Sequence, residues 1–566
     1  MSNDAPSPDE KQSLSLMESS SMDVTQTRSG SHTDHPSFLV DPLLCEPEKV
    51  VEAYGFWGRY QWWTAIQCCS VMFIYAANMH IVPFINDPSR VDCLWQNETN
   101  SVLYNDMPGC VYRKNRQTPK VEFVCGETTG TTILEYKDHQ PITSKMHEFG
   151  LHCASNFARE GGQTAFSMGA MLVVPLFSYF ADHSGRKYTF LIAVFGSIVA
   201  NFCCVIAPTY WYFITLRFIV GALSDSYYTI GANFVCELFT EEQRSFAGLL
   251  GTVFWSLGIL FLGVLTQFET NWRLLYLWMT LPSLICFGMI FTLPESPHWA
   301  IQHHNRERIR NYISSANKCN RKRLDMVSCL RENPNEKHEK VNIVKALLKM
   351  VKSLQMWKIM IIASLMSFMM NFTYFAISLE AVDLSEDRFT AYMWNGVADL
   401  PGSALAIPLL HFFGRKWVAI VSGLLCGVFL VIAPFFEWYE NGWLKVALIL
   451  TSKFCNNITQ TLIPVWFPEM LPTSIRVIGF SIINFPQCIG QVLAPFFRHL
   501  KYDWAPTKYV AVGSGCIACS LLTMLLNDTK GQYMPGDVRD VAPTQNSITS
   551  RSASNDRSRS NSVSDN

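Results

Sequence analysis

The sequence is short of charge. Asp, Glu, Lys and Arg make up 16% of its 566 residues and nearly cancel, to a formal net charge of −1. Such a balance offers no field to draw a polyanion. No basic stripe interleaved with aromatics stands outside the loops, which excludes nucleic acid as a partner. A phosphate-binding G-x-x-x-x-G-K-[ST] loop is also missing, and the nearest stretch, GETTGTT at 126–132, lacks the lysine. No His/Cys metal spacing and no nucleophile elbow occurs, so neither an enzyme nor a cofactor is expected. The first 37 residues lack the basic segment and apolar core of a cleavable signal.

Apolar residues are abundant instead: 49% of the chain is hydrophobic and 13% aromatic, with a mean hydropathy of +0.13. Those values point to an integral membrane protein. Apolar runs of about 20 residues, enough to cross roughly 30 Å of hydrocarbon, recur along the chain. They fall near 60–86, 162–181, 188–207, 211–236, 246–268, 273–293, 356–380, 390–413, 416–436, 443–468, 476–498 and 508–527. The reading is about twelve spans in an all-α membrane protein.

Residues 1–49 and 528–566 are polar and Ser-rich and read as disordered tails. Residues 50–293 form one half, 294–355 a basic central loop and 356–527 a second half. The loop 87–160 holds Cys93, Cys110, Cys125 and Cys153 and a glycosylation sequon at Asn97. The short loops SGRK, EEQRS, FGRK and TSIR lie on one side, and the positive-inside bias puts them in the cytosol with both termini. Arg498, Lys501 and Lys508 run against that bias. The four loop cysteines then face an oxidising exterior, where disulfides persist; three connectivities are open. Cys68, Cys69, Cys203 and Cys204 fall inside spans and read as packing residues.

One half echoes the other. Glu469 and Arg476 follow Glu237 and Arg244 at an offset of 232, Gly490 follows Gly258 at the same offset, and the two GRK triplets, at Gly185 and Gly414, are 229 apart. The repeat predicts two six-helix halves related by a pseudo-two-fold axis along the membrane normal, with a substrate site between them. Asp182, Arg186, Lys187, Glu237, Arg244, Arg415, Lys416, Glu469 and Arg476 then ring the cytosolic mouth, where charges could pair across moving helices and gate it. The competing reading is that they are topology signals alone.

The order of GFWGRYQ, EFGLHC, FADHSGRK, NWRLLYLWMTLPSLICF, PESPHWAI, NGVADLPG, PEMLPTSIR and NDTKG resembles the organic cation, anion and zwitterion transporters of the major facilitator superfamily, over about residues 50–532. Ser178 and His183 depart from the family's first charged motif, and NDTKG replaces its final Pro-Glu pair. The resemblance implies the major facilitator fold and a membrane transporter. Aligned through neighbouring motifs, Tyr228, Trp255 and Tyr374 fall on positions that line the family's central site. Cys488 falls where cation transporters of the family carry an aspartate and anion transporters an arginine.

Charges inside spans are costly and mark cavities or partners. Asp225 in span 4 and Asp399 in span 8 are such residues, with Arg217 and Lys453 as basic counterparts. Tyr228 lies one helical turn from Asp225, so both can face one cavity, and aromatic faces attract cations. The sequence therefore predicts alternating-access transport of small organic ions at the plasma membrane, with Asp225 favouring cations or zwitterions. The partners expected are a small organic ion and the lipid bilayer, with an unidentified coupling ion. The alternatives are an anion or sugar carrier of the same fold, or a transporter-like receptor.

Overall fold

The computed structural model describes residues 43–86, 110–114, 121–125, 144–240, 244–330, 353–380, 388–436, 443–471, 476–499 and 507–529, a few positions within these ranges aside. Cys93, Asn97 and Cys153 lie outside the described residues, as do the side chains of Cys110, Cys125, Arg244 and Arg476.

After a short helix α1 (Pro47–Glu52), span 1 is α2 (Arg59–His80). Spans 2 to 5 are α3 (Asn156–Ser184), α4 (Arg186–Val205), α5 (Tyr210–Leu238) and α6 (Arg244–Phe268). Span 6 starts as α7 (Trp272–Thr280) and continues through a 3-10 stretch, Leu281–Gly288, into Met289–Thr292. Two helices of the central loop, α8 (Pro297–Gln302) and α9 (Arg306–Asn320), follow. Span 7 is α10 (Leu354–Glu380), and span 8 is split into α11 (Arg388–Val397) and α12 (Asp399–Phe412). Spans 9 to 12 are α13 (Arg415–Ile432), α14 (Trp443–Met470), α15 (Arg476–Leu493) and α16 (Thr507–Leu522). The long loop contributes one antiparallel hairpin, β1 (Cys110–Lys114) with β2 (Val121–Cys125), whose register sets Cys110 opposite Cys125.

Among the described residues, eight of the twelve spans are long and apolar enough to cross a membrane by length and composition. The other four are α5, the α11–α12 pair, α14 and α15, and the first three of these carry Arg217, Asp225, Asp399 and Lys453. Polar residues the site needs thus weaken the apolar signal of the helices that hold them. Large apolar side chains such as Ile192, Ile285 and Phe291 project outward, the surface a lipid solvent requires.

The repeated glycines have a packing cause. A Cβ on Gly258 of α6 would strike the Phe73 carbonyl oxygen of α2, and one on Gly490 of α15 would lie 2.8 Å from the Phe368 carbonyl oxygen of α10. Spans 1 and 5, and by symmetry 7 and 11, approach with their backbones nearly touching, which only a missing side chain permits. The break in span 8 comes from Pro401, whose ring clashes with the carbonyl four residues back, at Val397. The helix restarts with Asp399 at its N-terminus, where the helix dipole favours a carboxylate.

The face carrying the start of span 1, α8, α9 and the end of span 12 is termed the inner face, and the opposite one, where spans 1 and 2 connect, the outer. On the inner face α9 buries Ile309, Tyr312, Ile313 and Ala316, a helical stripe. Tyr54 donates to Asn317 at 2.8 Å, and Cys45 bridges Leu330. The docked chain therefore begins before residue 50, and the basic central loop starts as a packed helix rather than a tether.

Candidate functional site

Two sets of polar residues stand out, one at the inner mouth and one at mid-depth. At the mouth, Gly185 turns the chain from α3 to α4 at φ 112°, a conformation open to glycine. Arg186 then pairs with Glu237 at 2.6 Å and more loosely with Asp182 at 3.6 Å. The Ser296 hydroxyl donates to the other oxygen of Glu237. Glu295 accepts the Lys187 backbone N–H at 3.0 Å and pairs with Arg308 of α9 at 3.0 Å.

The second half repeats the arrangement. Arg415 pairs with Glu469 at 3.3 Å, and the Thr529 hydroxyl donates to the other Glu469 oxygen. Asp528 abuts Gly414, where a Cβ would strike its carboxylate, just as Glu295 abuts Gly185. Lys416 joins no ion pair among the described residues. Sequence reasoning grouped Glu237 with Arg244 and Glu469 with Arg476, whose side chains lie outside the described residues; among those described, each glutamate pairs with the arginine of the GRK triplet in its own half. It missed Glu295, Ser296, Asp528 and Thr529, although both pairs of equivalents share an offset of 233 that was available to be read.

At mid-depth, Tyr75 of α2 donates to Asp225 of α5 at 2.6 Å. Tyr75 stacks on Tyr228 with centroids 4.9 Å apart, and Trp255 of α6 tilts across both, at 5.5 Å and 6.2 Å. These three rings form an aromatic wall beside the carboxylate. Asp225, Tyr228, Trp255 and Cys488 each keep partial exposure, and Cys488 of α15 lies within electrostatic reach of Asp225 from the opposite half. Among the described residues no cation pairs with Asp225. Tyr75 was missed in the sequence because span 1 has aromatics on every face.

From the wall, Trp255 Nε1 donates to the Tyr374 hydroxyl of α10 at 2.9 Å, a bond between the halves. Tyr374 donates in turn to Asp399 at 2.8 Å. Asp399 pairs with Lys453 of α14 at 3.1 Å, both wholly buried. Lys453 also donates to Asn395 through its carbonyl at 3.0 Å and its side-chain oxygen at 2.7 Å. Arg217 is occupied elsewhere: it donates to the carbonyls of Gly162 and Asn78 and to Tyr276, and lies over the Phe166 ring. It knits spans 1, 2, 4 and 6 together.

The family model for the Major Facilitator Superfamily matches residues 162–495. The chain belongs to that superfamily. This facilitator is 30% identical over 504 residues to a Caenorhabditis elegans protein named "Putative transporter B0361.11", covering 88% of this chain and 84% of that one. It is 23% identical to the "Organic cation transporter protein" of Drosophila melanogaster, covering 73% and 77% of the two chains. Its fold matches the inward open xylose transporter XylE of E. coli with a TM-score of 0.57 at 13% identity, over 84% of this chain and 98% of that one. The facilitator is thus a multi-pass membrane transporter and not an enzyme, related to organic cation transporters as its motifs imply.

Proposed function

We propose that this facilitator carries small organic cations across the plasma membrane by alternating access, with Asp225 as the charge that receives them. One observation carries the reading: a partly exposed carboxylate stands beside three aromatic rings, and among the described residues no cation pairs with it. An organic cation shed of water gains from both, each ring contributing roughly 0.5–2 kcal/mol. The intramembrane cations an anion would need are committed, Lys453 to Asn395 and Asp399, Arg217 to carbonyls. That weighs for cations over anions, and the name of the Drosophila relative agrees.

The inner face is then cytosolic. Contacts between the halves gather at mid-depth and outward: Trp255 with Tyr374, Phe84 with Tyr392 and Phe157 with Phe496. Partial exposure of Asp225 with closure beyond it corresponds to a carrier open to the cytosol. The mouth charges act as gate supports, each pair holding two helix ends of one half in register while the halves rock.

Uptake of a labelled organic cation, an anion, a zwitterion and a hexose into sealed cells tests the assignment. Saturable cation uptake is expected, falling at least tenfold in Asp225→Asn at equal surface expression. Anion or hexose uptake that survives the substitution would sink it.

A further inference from the structure

Five residues outward of Tyr75 on α2 stands His80, with none of its surface exposed. Its Nδ1 lies 2.9 Å from the carbonyl oxygen of Ala76. A carbonyl oxygen only accepts, so Nδ1 carries the proton and Nε2 presents a bare lone pair. That nitrogen has no hydrogen-bond partner among the described residues. Across the seam, on α11 of the other half, Tyr392 is equally buried, and its hydroxyl has no partner either. The two ring centroids are 6.4 Å apart, and Trp255 stands edge-on to His80 at 5.9 Å.

Buried polar atoms are nearly always paired, so each orphan asks for a cause. Here an acceptor and a phenol sit on rings 6.4 Å apart across the seam between the halves, next to the aromatic wall. Packing alone would be served better by Leu and Phe.

We propose that His80 and Tyr392 form a hydroxyl-reading subsite for the organic cation, an inference that rests on the cation assignment above. A substrate hydroxyl would donate to His80 Nε2 and accept from Tyr392, satisfying both at once. An apolar group would satisfy neither, and sites built to bond a hydroxyl discriminate strongly against analogues that lack it. Five helical residues rise roughly 7.5 Å and turn about 140°, but Trp255 touches the rings of both Tyr75 and His80, at 5.5 Å and 5.9 Å, so a nitrogen beside Asp225 and Tyr75 and a hydroxyl beside His80 are at least about 7.5 Å apart along one wall. The fitting class is a primary or substituted amine with a hydroxyl at the far end of a short, flat body. With one group on each half, the bound hydroxyl also pins the outer seam shut behind the substrate.

The probes are 4-hydroxyphenethylamine and phenethylamine, which differ by one hydroxyl. Their kcat/KM values for uptake are compared in cells expressing the full-length natural chain, His80→Leu or Tyr392→Phe. The expected result is a preference of tenfold or more for the hydroxylated amine, falling toward one in both variants. Tyr392→Phe removes an oxygen and no volume, so it carries the test should His80→Leu fail to reach the surface. A ratio near one in the natural chain, or one that both variants retain, overturns the subsite and leaves the pair a role in seam packing. If neither amine enters while another organic cation does, the subsite falls and the cation assignment stands; if no organic cation enters, both fall.

Discussion

Among the described residues two lysines are wholly buried, and they answer to burial in different ways. Lys453 has three acceptors, two on Asn395 and one on its ion-pair partner Asp399. Lys453→Ala would leave the Asp399 carboxylate buried with too few donors, at a loss of roughly 3–5 kcal/mol, whereas Lys453→Met with Asp399→Leu should recover much of it. Thermal unfolding in detergent checks both, and equal losses in the single and double variants would refute the pair's role. Lys145, ahead of α3 on the outer side, has the Arg159 carbonyl only at 3.5 Å and the Phe213 ring at 5.3 Å. Burial pushes its ammonium down to about 7, against the pull of Glu160. Unfolded lysine keeps its proton to about 10.4. Between those values the unfolded chain binds the extra proton, so stability rises with pH across the window. The gain should be on the order of 1 kcal/mol per pH unit between pH 7 and 9, and Lys145→Met should flatten it. Parallel melting curves for the two proteins would count against this.

At the scale of elements, the two GRK turns read alike in sequence and differ in structure. Gly185 has φ 112°, and a Cβ there would meet Arg308 Nη1 at 2.6 Å and Glu295 Oε2 at 2.8 Å. Gly414 has an ordinary φ of −69°, and only the movable carboxylate of Asp528 stands in the way. Gly185→Ala should therefore destabilise by about 1–3 kcal/mol and Gly414→Ala by less, seen as a larger loss of surface expression and uptake for the first. The reverse order would show that the turns are not distinguished by backbone conformation. Apolar run length made the spans legible, since the hydrocarbon core fixes how long a run must be. Backbone dihedrals leave no such trace. The docking of α9 was hidden for another reason: RERIR advertises the solvated face of that helix, while Ile309, Tyr312 and Ile313 supply the buried one. Asp225 and Tyr228 were legible because a charge in a span is rare and one helical turn is short. Tyr75 and His80 were not, because their importance lies in which other spans they meet.

For the whole molecule, the seam between the halves decides what is accessible. Phe157 of α3 and Phe496, just beyond α15, stack across it at 6.2 Å on the outer side. Cysteines at these two positions should oxidise to a cross-link that stops uptake, with activity restored by reductant. Unchanged uptake by a fully cross-linked population would mean that the outer seam does not need to open. The repeat fixed the existence of the two halves, but which side they close on depends on contacts between residues far apart in the chain.

The halves also arrange their charges differently near mid-depth: one holds a direct ion pair, Asp399 with Lys453, and the other keeps Asp225 and Arg217 apart, the carboxylate on Tyr75 and the guanidinium on carbonyls and Tyr276. These four charges cancel in the empty carrier, and on the proposed function a monovalent cation beside Asp225 gives the loaded carrier one extra positive charge. A charge that traverses the whole field is worth about 2.3 kcal/mol per 100 mV. Membrane voltage therefore acts on the loaded crossing rather than on the return of the empty carrier. An inside-negative potential draws the cation inward.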